Sequence, residues 1–450
     1  MYYQTLVWHR DIPEILWKVE GSETMYRITI AIILLIGIMV LPGKEAFAVS
    51  SLQTEINNIP KGGTLHVKAG RYYERIVLNK PLHLIGEKGT TLINCSSKPA
   101  ITMKGKNISI SGIRIETCEK HPKVPAIYIS GRNHRLDGVQ IKSGGVGVKL
   151  KNAENVSLTN MKVVGTGHER GFDLWQSHHN LFKGIRLNHV QDGFYMENSH
   201  YNRFIGNKVS NSRYGVHVMF SDWITIKKNV SVRNITGAMV MATHHTIIQN
   251  NRLADNNLNV NAQGLLLYDV HQSSIKGNLI ENNRVGIYMD ESSENKLIQN
   301  QINDNFIGLQ LNKIRNNVLE HNAFVGNVTE MQANSRDHNR ICENYWEAAG
   351  KLDSDGDGLS NLPYRADPYF LNLISETPEY QLFFQHPGMV LLQKMLKSPE
   401  QVTITDESPL MYNRLTEISR KKDTEQASWT MSTGMIAASL LLIYVGRKKR

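Results

Sequence analysis

Methionine and histidine are the side chains of this 450-residue sequence best suited to binding a metal ion. The chain has 16 Met and 17 His but only 3 Cys. Thioether sulfur selects Cu(I) over zinc, calcium or magnesium, and imidazole binds copper in either oxidation state. His217 and Met219 lie about one repeat before Met239 and Met241. We therefore expect a transient copper site, for Cu(I), at these four residues; the competing interpretation is an apolar patch that docks a partner protein.

A second set of histidines recurs at one position of the repeat. Stacked imidazoles, one strand spacing apart, could bind or relay a metal ion. Polar turn residues also recur simply because repeats are related, so both interpretations stay open. The set consists of His178, His200, His244 and His271.

An acidic segment near residue 355 has the order Asp-x-Asp-x-Asp-Gly of a calcium-binding loop. Its carboxylates belong to Asp353, Asp355 and Asp357. The twelfth position of the loop is Tyr364 rather than Glu, so the segment is not a complete EF-hand loop. It predicts either a calcium-stabilised turn or an acidic turn without metal.

A repeat of about 22 residues determines the elements that must position these side chains. Glycine opens a short β-rich run in each repeat, at Gly171, Gly193, Gly215, Gly237, Gly264, Gly286 and Gly308. Asparagine recurs at a second position of the repeat, at Asn207, Asn229, Asn250, Asn278, Asn300, Asn322 and Asn344. Short strands at this period are typical of a parallel β-helix, in which each coil stacks on the previous one. We predict an all-β protein, a right-handed parallel β-helix with coils of about 22 residues.

Alternation within each strand separates core side chains from outer ones. Apolar residues stand one and three positions after each glycine, as Phe194 and Met196 do after Gly193. Period-two alternation places these residues inside and the intervening ones outside. Met196 and Met289 are therefore predicted to be core residues, whereas the four copper candidates face outward.

Charge and cysteine content exclude several classes of protein. The formal net charge is +10, but the basic residues are spread along the chain and do not gather into one stripe. A membrane or cell-wall surface is therefore at least as suitable a partner as nucleic acid, and we predict no nucleic-acid binding. Cys95 and Cys118 are 23 residues apart, about one coil, so they form either a disulfide or a pair of buried thiols.

Both ends of the chain have the composition of targeting segments. Residues 25–48 have a basic start, a short apolar stretch and an Ala-Phe-Ala cleavage site, as in a secretory signal peptide. Near the other end, an apolar stretch is followed by a basic cluster, which predicts a membrane tether with a cytoplasmic tail. Residues 1–24 are predicted to be an over-long start that precedes the true initiator, and residues 25–48 the signal peptide. The β-helix follows at 49–345, with an Asp-rich loop and cap at 346–370. The remaining segments are a helical or linker segment at 371–428, a transmembrane helix at 429–446 and a cytoplasmic basic tail at 447–450.

Polysaccharide lyases and epimerases with the same fold are the alternative class, together with glycan-binding cell-surface proteins. The outward positions offer only Asp173, Glu197 and Asp290, and coils without acid separate them. This is sparse for chemistry that needs paired carboxylates. We therefore expect a protein without catalytic activity.

Several segments resemble the NosD family, extracytoplasmic β-helix proteins of nitrous oxide reductase maturation. The resemblance is carried by residues 213–221 (RYGVHVMFS), 193–197 (GFYME), 237–241 (GAMVM), 326–327 (GN), 343–346 (ENYW), 362–365 (LPYR), 386–388 (HPG) and 396–399 (LKSP), and extends over roughly residues 50–410. It implies a non-catalytic role in copper handling. The implied partners are an ABC-type ATPase and permease, a copper chaperone and nitrous oxide reductase.

Overall fold

The computed structural model describes residues 51–333, 338–366 and 403–415, with a few isolated residues between 367 and 402. The predicted over-long start, signal peptide, transmembrane helix and basic tail lie outside these residues. Among the residues that are described, no helix is long and apolar enough to cross a membrane.

Three parallel sheets form the body of the protein. The first sheet has 13 strands: Thr64–Val67, Leu82–Gly86, Ile108–Ser111, Arg135–Asp137, Ser157–Thr159, Leu181–Lys183, Arg203–Ile205, Thr225–Lys227, Ile247–Gln249, Ser274–Lys276, Lys296–Ile298, Val318–Glu320 and Arg340–Cys342. The second sheet has 13 strands: Gly70–Tyr72, Thr90–Asn94, Arg114–Thr117, Gln140–Lys142, Lys162–Val164, Arg186–Asn188, Lys208–Ser210, Val230–Val232, Arg252–Ala254, Leu279–Glu281, Gln301–Asn303, Ala323–Val325 and Tyr345–Trp346. The third sheet has 12 strands: Ile76–Leu78, Ile101–Met103, Ile127–Arg132, Val148–Glu154, Phe172–Trp175, Asp192–Glu197, Tyr214–Met219, Thr236–His244, Gln263–His271, Val285–Asp290, Ile307–Asn312 and Thr329–Ala333.

The chain visits the three sheets in turn, and each strand pairs with the strand three places further along. All pairings within these sheets are parallel, and residues one coil apart are direct partners, such as Phe194 and Val216. This is a parallel β-helix of the right-handed type, which confirms the predicted all-β architecture of the coils. The predicted alternation is also observed, because Phe194, Met196 and Met289 are completely buried.

A ladder of buried asparagines joins successive coils. The side-chain amide of Asn207 donates to Oδ1 of Asn229 at 3.0 Å, and the amide of Asn229 donates to Oδ1 of Asn251 at 3.1 Å. The ladder therefore contains Asn251 and not Asn250, the residue predicted from spacing. Asn250 instead adopts a left-handed backbone conformation (φ 54°) at the adjoining turn.

Both ends of the β-helix are capped. A short helix, Leu52–Asn58, buries Leu52 and Ile56 at the first coil. At the other end, strands Tyr364–Ala366 and Ile404–Asp406 pair antiparallel. The second of these strands lies within residues 371–428, the segment predicted to be helical or a linker.

Burial of Asp406 explains why a strand forms in this segment. Its Oδ2 accepts hydrogen bonds from the backbone and side-chain amides of Asn344, both at 3.1 Å, and from the indole of Trp346 at 2.9 Å. The carboxylate thus occupies the place that the next asparagine of the ladder would take. Nearer the start of the β-helix, Cys95 and Cys118 form a disulfide with their Cα atoms 4.9 Å apart.

Candidate metal centre

The four predicted copper ligands lie on the outer side of the third sheet, on adjacent strands. His217 is the direct partner of Met239, and Met219 is the direct partner of Met241. The flanking residues Val218 and Val240 are completely buried, so alternation turns the four candidate side chains away from the core. The three methionines are half-buried.

Strand geometry sets the size of this cluster. Neighbouring strands lie about 4.8 Å apart, and two residues along a strand span roughly 6.6 Å. The four Cα positions therefore outline a small rectangle. Methionine has three rotatable bonds beyond Cα and adapts its sulfur position readily. The cluster can thus present up to three thioether sulfurs and one imidazole to a single ion.

His217 differs from its neighbours because one ring nitrogen is buried without a partner. Only 7% of the residue is exposed. Its Nδ1 lies 3.3 Å from Oδ2 of Asp192, whereas no hydrogen-bond partner for Nε2 exists in the described part of the chain. A neutral imidazole that donates from Nδ1 has its lone pair on Nε2. A buried polar atom without a partner is costly, and a metal ion is one group that satisfies it.

Asp192 fixes the orientation of the His217 ring, and no sequence pattern singled it out. Asp192 is completely buried and accepts two hydrogen bonds from Arg213, each at 2.9 Å. Burial alone would raise the pKa of Asp192, but the hydrogen bonds from His217 and Arg213 keep that pKa below its ordinary value. The carboxylate is therefore ionised and favours the Nδ1–H form of His217. Carboxylates commonly orient metal-binding histidines in this way.

Aromatic rings enclose His217. Its ring meets those of Tyr195 and Tyr214 edge-on, with centroids 5.1 and 4.9 Å away. The Tyr195 hydroxyl donates to Glu197 at 2.6 Å, and burial together with this contact raises the pKa of Tyr195 to about 12. The phenol therefore stays protonated at neutral pH. It acts as a wall of the site and not as an anionic ligand.

The histidine ladder has a different geometry. The rings of His178 and His200 stack 5.4 Å apart and nearly parallel. Nδ1 of His178 accepts the backbone N–H of His200 at 3.1 Å, and Nδ1 of His200 accepts that of Asp222 at 3.0 Å. Burial, reinforced by His200, lowers the pKa of His178, which favours the neutral ring. In a neutral ring whose Nδ1 accepts, Nε2 holds the proton and offers no lone pair.

The other two ladder histidines are also engaged. Nδ1 of His244 lies 3.3 Å from Oδ1 of Asp222. His271 contacts Ser293 through Nδ1 at 2.8 Å and Asp269 through Nε2 at 2.9 Å. The ladder therefore links successive coils, and the structure does not bring its four histidines together around one point.

The acidic loop does bring its side chains together. Carboxylate oxygens of Asp353, Asp355 and Asp357 lie within 4.8 Å of one another, the only such group of three His, Cys, Asp or Glu ligands among the described residues. Asp353 already accepts the backbone N–H groups of Gly356 and Gly358, at 2.6 and 3.0 Å. These bonds hold the turn without an ion, so both predicted states of the loop remain compatible with its geometry.

The chain is a parallel β-helix with methionines and a histidine side by side on its outer face, and one family model matches part of it. Residues 154–355 match the family model described as periplasmic copper-binding protein (NosD). The resemblance to the NosD family is confirmed over these residues, which include all four copper candidates. No curated protein matches the chain significantly.

Solved structures that match the chain include a mannuronan epimerase module and an alginate lyase. The A-module of mannuronan C-5 epimerase AlgE6 from Azotobacter vinelandii is 16% identical, with a TM-score of 0.47 over 63% of this chain and 84% of that chain. The alginate lyase AlyF-OU02 is 12% identical, with a TM-score of 0.49 over 66% of this chain and 82% of that chain. We draw no conclusion about activity from likenesses at this level.

Proposed function

We propose that this protein is a non-catalytic, extracytoplasmic accessory protein that carries copper as cargo at His217, Met219, Met239 and Met241. The observation that carries the proposal is the buried Nε2 of His217, which has no partner in the described part of the chain and lies on a strand beside two methionines. The family match to periplasmic copper-binding proteins supports the choice of metal.

The donor set favours Cu(I) over other ions. Thioethers are soft ligands that bind Cu(I) but compete poorly for zinc, calcium or magnesium. Asp192 holds the imidazole in one orientation through Nδ1, while the methionines adapt to the ion. Because the methionines are half-buried, an incoming or departing carrier can reach them, which suits an ion that is passed on.

The surrounding carboxylates support a role without catalysis. Asp173 is tied to Arg170 at 2.8 Å and to Lys149 at 2.9 Å. Glu197 accepts the Tyr195 hydroxyl, and Asp290 accepts that of Tyr288 at 2.9 Å. Each candidate acid of this face is thus engaged in a structural contact, so none is left as an evident general acid or base.

The resemblance to the NosD family suggests the partners, and the composition of the two ends of the chain suggests the location. We propose that the protein works with an ABC-type permease and ATPase, a copper chaperone and nitrous oxide reductase, whose copper centres it helps to assemble. We further propose export through the signal peptide at residues 25–48 and anchoring by the helix at 429–446. Co-purification of the permease with the full chain tests the first of these partners.

Cu(I) titration of the full chain against a chromophoric Cu(I) chelator tests the copper site. The double variant Met219→Leu/Met241→Leu should bind Cu(I) at least tenfold more weakly, because leucine preserves volume but offers no lone pair. His217→Gln should weaken binding further. The matched control is Met196→Leu/Met289→Leu, since both of these methionines are completely buried in the core.

The control variant should keep the affinity of the wild type. Equal Cu(I) affinity in the wild type and in the Met219/Met241 variant would remove this cluster as the copper site. Equal losses in the outer and core variants would show that the effect comes from general destabilisation and not from ligation.

A further inference from the structure

The second sheet has a row of basic side chains that the copper proposal does not use. Lys162, Arg186 and Lys208 are direct partners on three consecutive strands. The three residues are exposed, while their neighbours Val163 and Leu187 are buried in the core. We call Lys162, Arg186 and Lys208 the basic stripe. It follows the long axis of the β-helix with about 4.8 Å between successive charges.

Two other basic residues of the same row form ion pairs, unlike those of the stripe. Arg114 and Arg252 lie in line with the stripe, and each has a carboxylate close by. Arg114 pairs with Glu116 at 3.1 Å, and Arg252 pairs with Glu281 at 2.6 Å. Within the described residues, no carboxylate lies within 4.0 Å of the three stripe cations.

Like charges directly opposite one another on neighbouring strands destabilise a sheet. The outward positions two residues further along the stripe strands are Val164, Asn188 and Ser210, all of them uncharged. The repulsion is therefore not relieved by the protein itself. A ligand with several negative charges would relieve it.

We propose that the basic stripe binds a linear acidic polysaccharide with one carboxylate on each sugar. The stripe is one residue wide, which suits an extended chain that lies along the β-helix. Its charges repeat at a distance comparable to the length of one sugar unit, so successive carboxylates can meet successive cations. Each contact is a charge-assisted hydrogen bond from Lys or Arg.

Two other polyanions fit the stripe less well. Proteins that bind single-stranded nucleic acid combine cations with aromatic side chains on which bases stack. Here the outward residues two positions along the stripe strands are Val164, Asn188 and Ser210, none of which is aromatic. An anionic membrane surface is broad and favours a wide basic face with interfacial aromatic residues. A single file of three cations does not provide such a face.

Binding of the full chain to immobilised polygalacturonate tests the proposal, with neutral dextran as the comparison polymer. The variant Lys162→Gln/Arg186→Gln/Lys208→Gln should bind polygalacturonate at least tenfold more weakly. The control Lys88→Gln/Lys276→Gln/Lys296→Gln removes the same charge from exposed lysines outside the stripe. It should stay within about twofold of the wild type. Binding by the wild type should weaken steeply with salt.

Thermal unfolding and Cu(I) titration check that the stripe variant is folded. Its melting temperature should equal or exceed that of the wild type, because like-charge repulsion has been removed. Its Cu(I) affinity should be unchanged, since the copper candidates lie on the third sheet.

Equal weakening in the stripe and control variants would overturn the proposal in favour of a general charge effect. Wild-type binding to phosphatidylglycerol vesicles or to a single-stranded oligonucleotide, without binding to polygalacturonate, would overturn it as well. These outcomes do not depend on the copper test, because the stripe lies on the second sheet and the copper candidates lie on the third.

Discussion

Glu330 provides a direct test of how the last coil is held together. It occupies the position that glycine takes in the preceding repeats, and only 5% of it is exposed. Its Oε1 accepts the backbone N–H of Ala348 at 2.8 Å, whereas its Oε2 has no hydrogen-bond partner in the described part of the chain. Burial raises the pKa of this carboxyl group to about 7. We predict that the wild type loses stability as the pH rises through 7 and that the variant Glu330→Gln does not.

The sign and size follow from proton linkage. The unfolded chain ionises Glu330 near its ordinary pKa of 4.5, whereas the folded protein holds the proton until about pH 7. Stability from the neutral carboxyl is thus complete below the unfolded pKa and is lost as pH rises through the folded one. At 1.36 kcal/mol for each unit of pKa, the loss between pH 5 and pH 8 is roughly 2–3 kcal/mol. A glutamine cannot ionise, so the variant should not show it.

Hydrogen exchange measures this effect where it occurs, because the ends of a repeat protein open locally. The free energy of opening should be determined for amides of the cap around Ala348, at pH 5 and pH 8, after correction for intrinsic exchange rates. Glu407→Gln is the matched control, since Glu407 is an exposed acid of the same cap. The control should keep the pH dependence of the wild type. Identical pH dependence in the wild type and in Glu330→Gln would refute the reasoning.

Two further predictions concern the end of the β-helix. Asp406→Ala should lower the free energy of unfolding of the cap by about 2–5 kcal/mol, because it leaves the backbone N–H of Asn344 and the indole N–H of Trp346 without an acceptor. Asp406→Asn, which keeps a carbonyl oxygen, should cost much less, and equal losses in a denaturant titration would contradict this role. Calcium binding by the acidic loop predicts that millimolar calcium raises the melting temperature of the wild type but not of Asp353→Asn/Asp355→Asn/Asp357→Asn. An unchanged melting temperature in the wild type would identify the loop as an acidic turn without metal.

The coil architecture could be predicted because it imposes a rule on every repeat. A residue such as Phe194 must be apolar in order to fill the core, whereas outward positions such as those of Glu197 and Met219 accept different residue types. This constraint leaves a period that is visible without any structure. The side-by-side placement of His217 and Met239 follows from the same period, since they are 22 residues apart.

The chemistry around the donors was less predictable, since it depends on contacts that the period does not specify. Asp192 immediately precedes a repeat glycine and belongs to no recognisable pattern, yet it sets the proton position of His217. His178 and His200 have suitable side chains for metal binding, but their Nδ1 atoms accept backbone N–H groups. Residue type alone does not reveal that a lone pair is already used.

Long sequence separations hid two other features. Asp406 is 62 residues from Asn344, whose amides it accepts, so no local pattern connects the cap to the asparagine ladder. The basic stripe was missed because its members are separated by 24 and 22 residues. In the sequence they appear scattered, and only the register of the second sheet brings these three cations into line.

Local pairing, and not the net charge of +10, determines what each face of the β-helix can bind. Near His217, Arg213 is paired with Asp192, and the nearby Arg170 is held against Asp173, so the guanidinium beside the thioethers is compensated for an approaching cation. On the second sheet the stripe cations have no such carboxylates among the described residues, so that face attracts anions. The two faces therefore have opposite preferences although one repeat builds both. Breaking one of these ion pairs should therefore change what the face binds. Asp192→Asn, which leaves the positive charge of Arg213 uncompensated next to the ion, should weaken Cu(I) binding in the chelator titration.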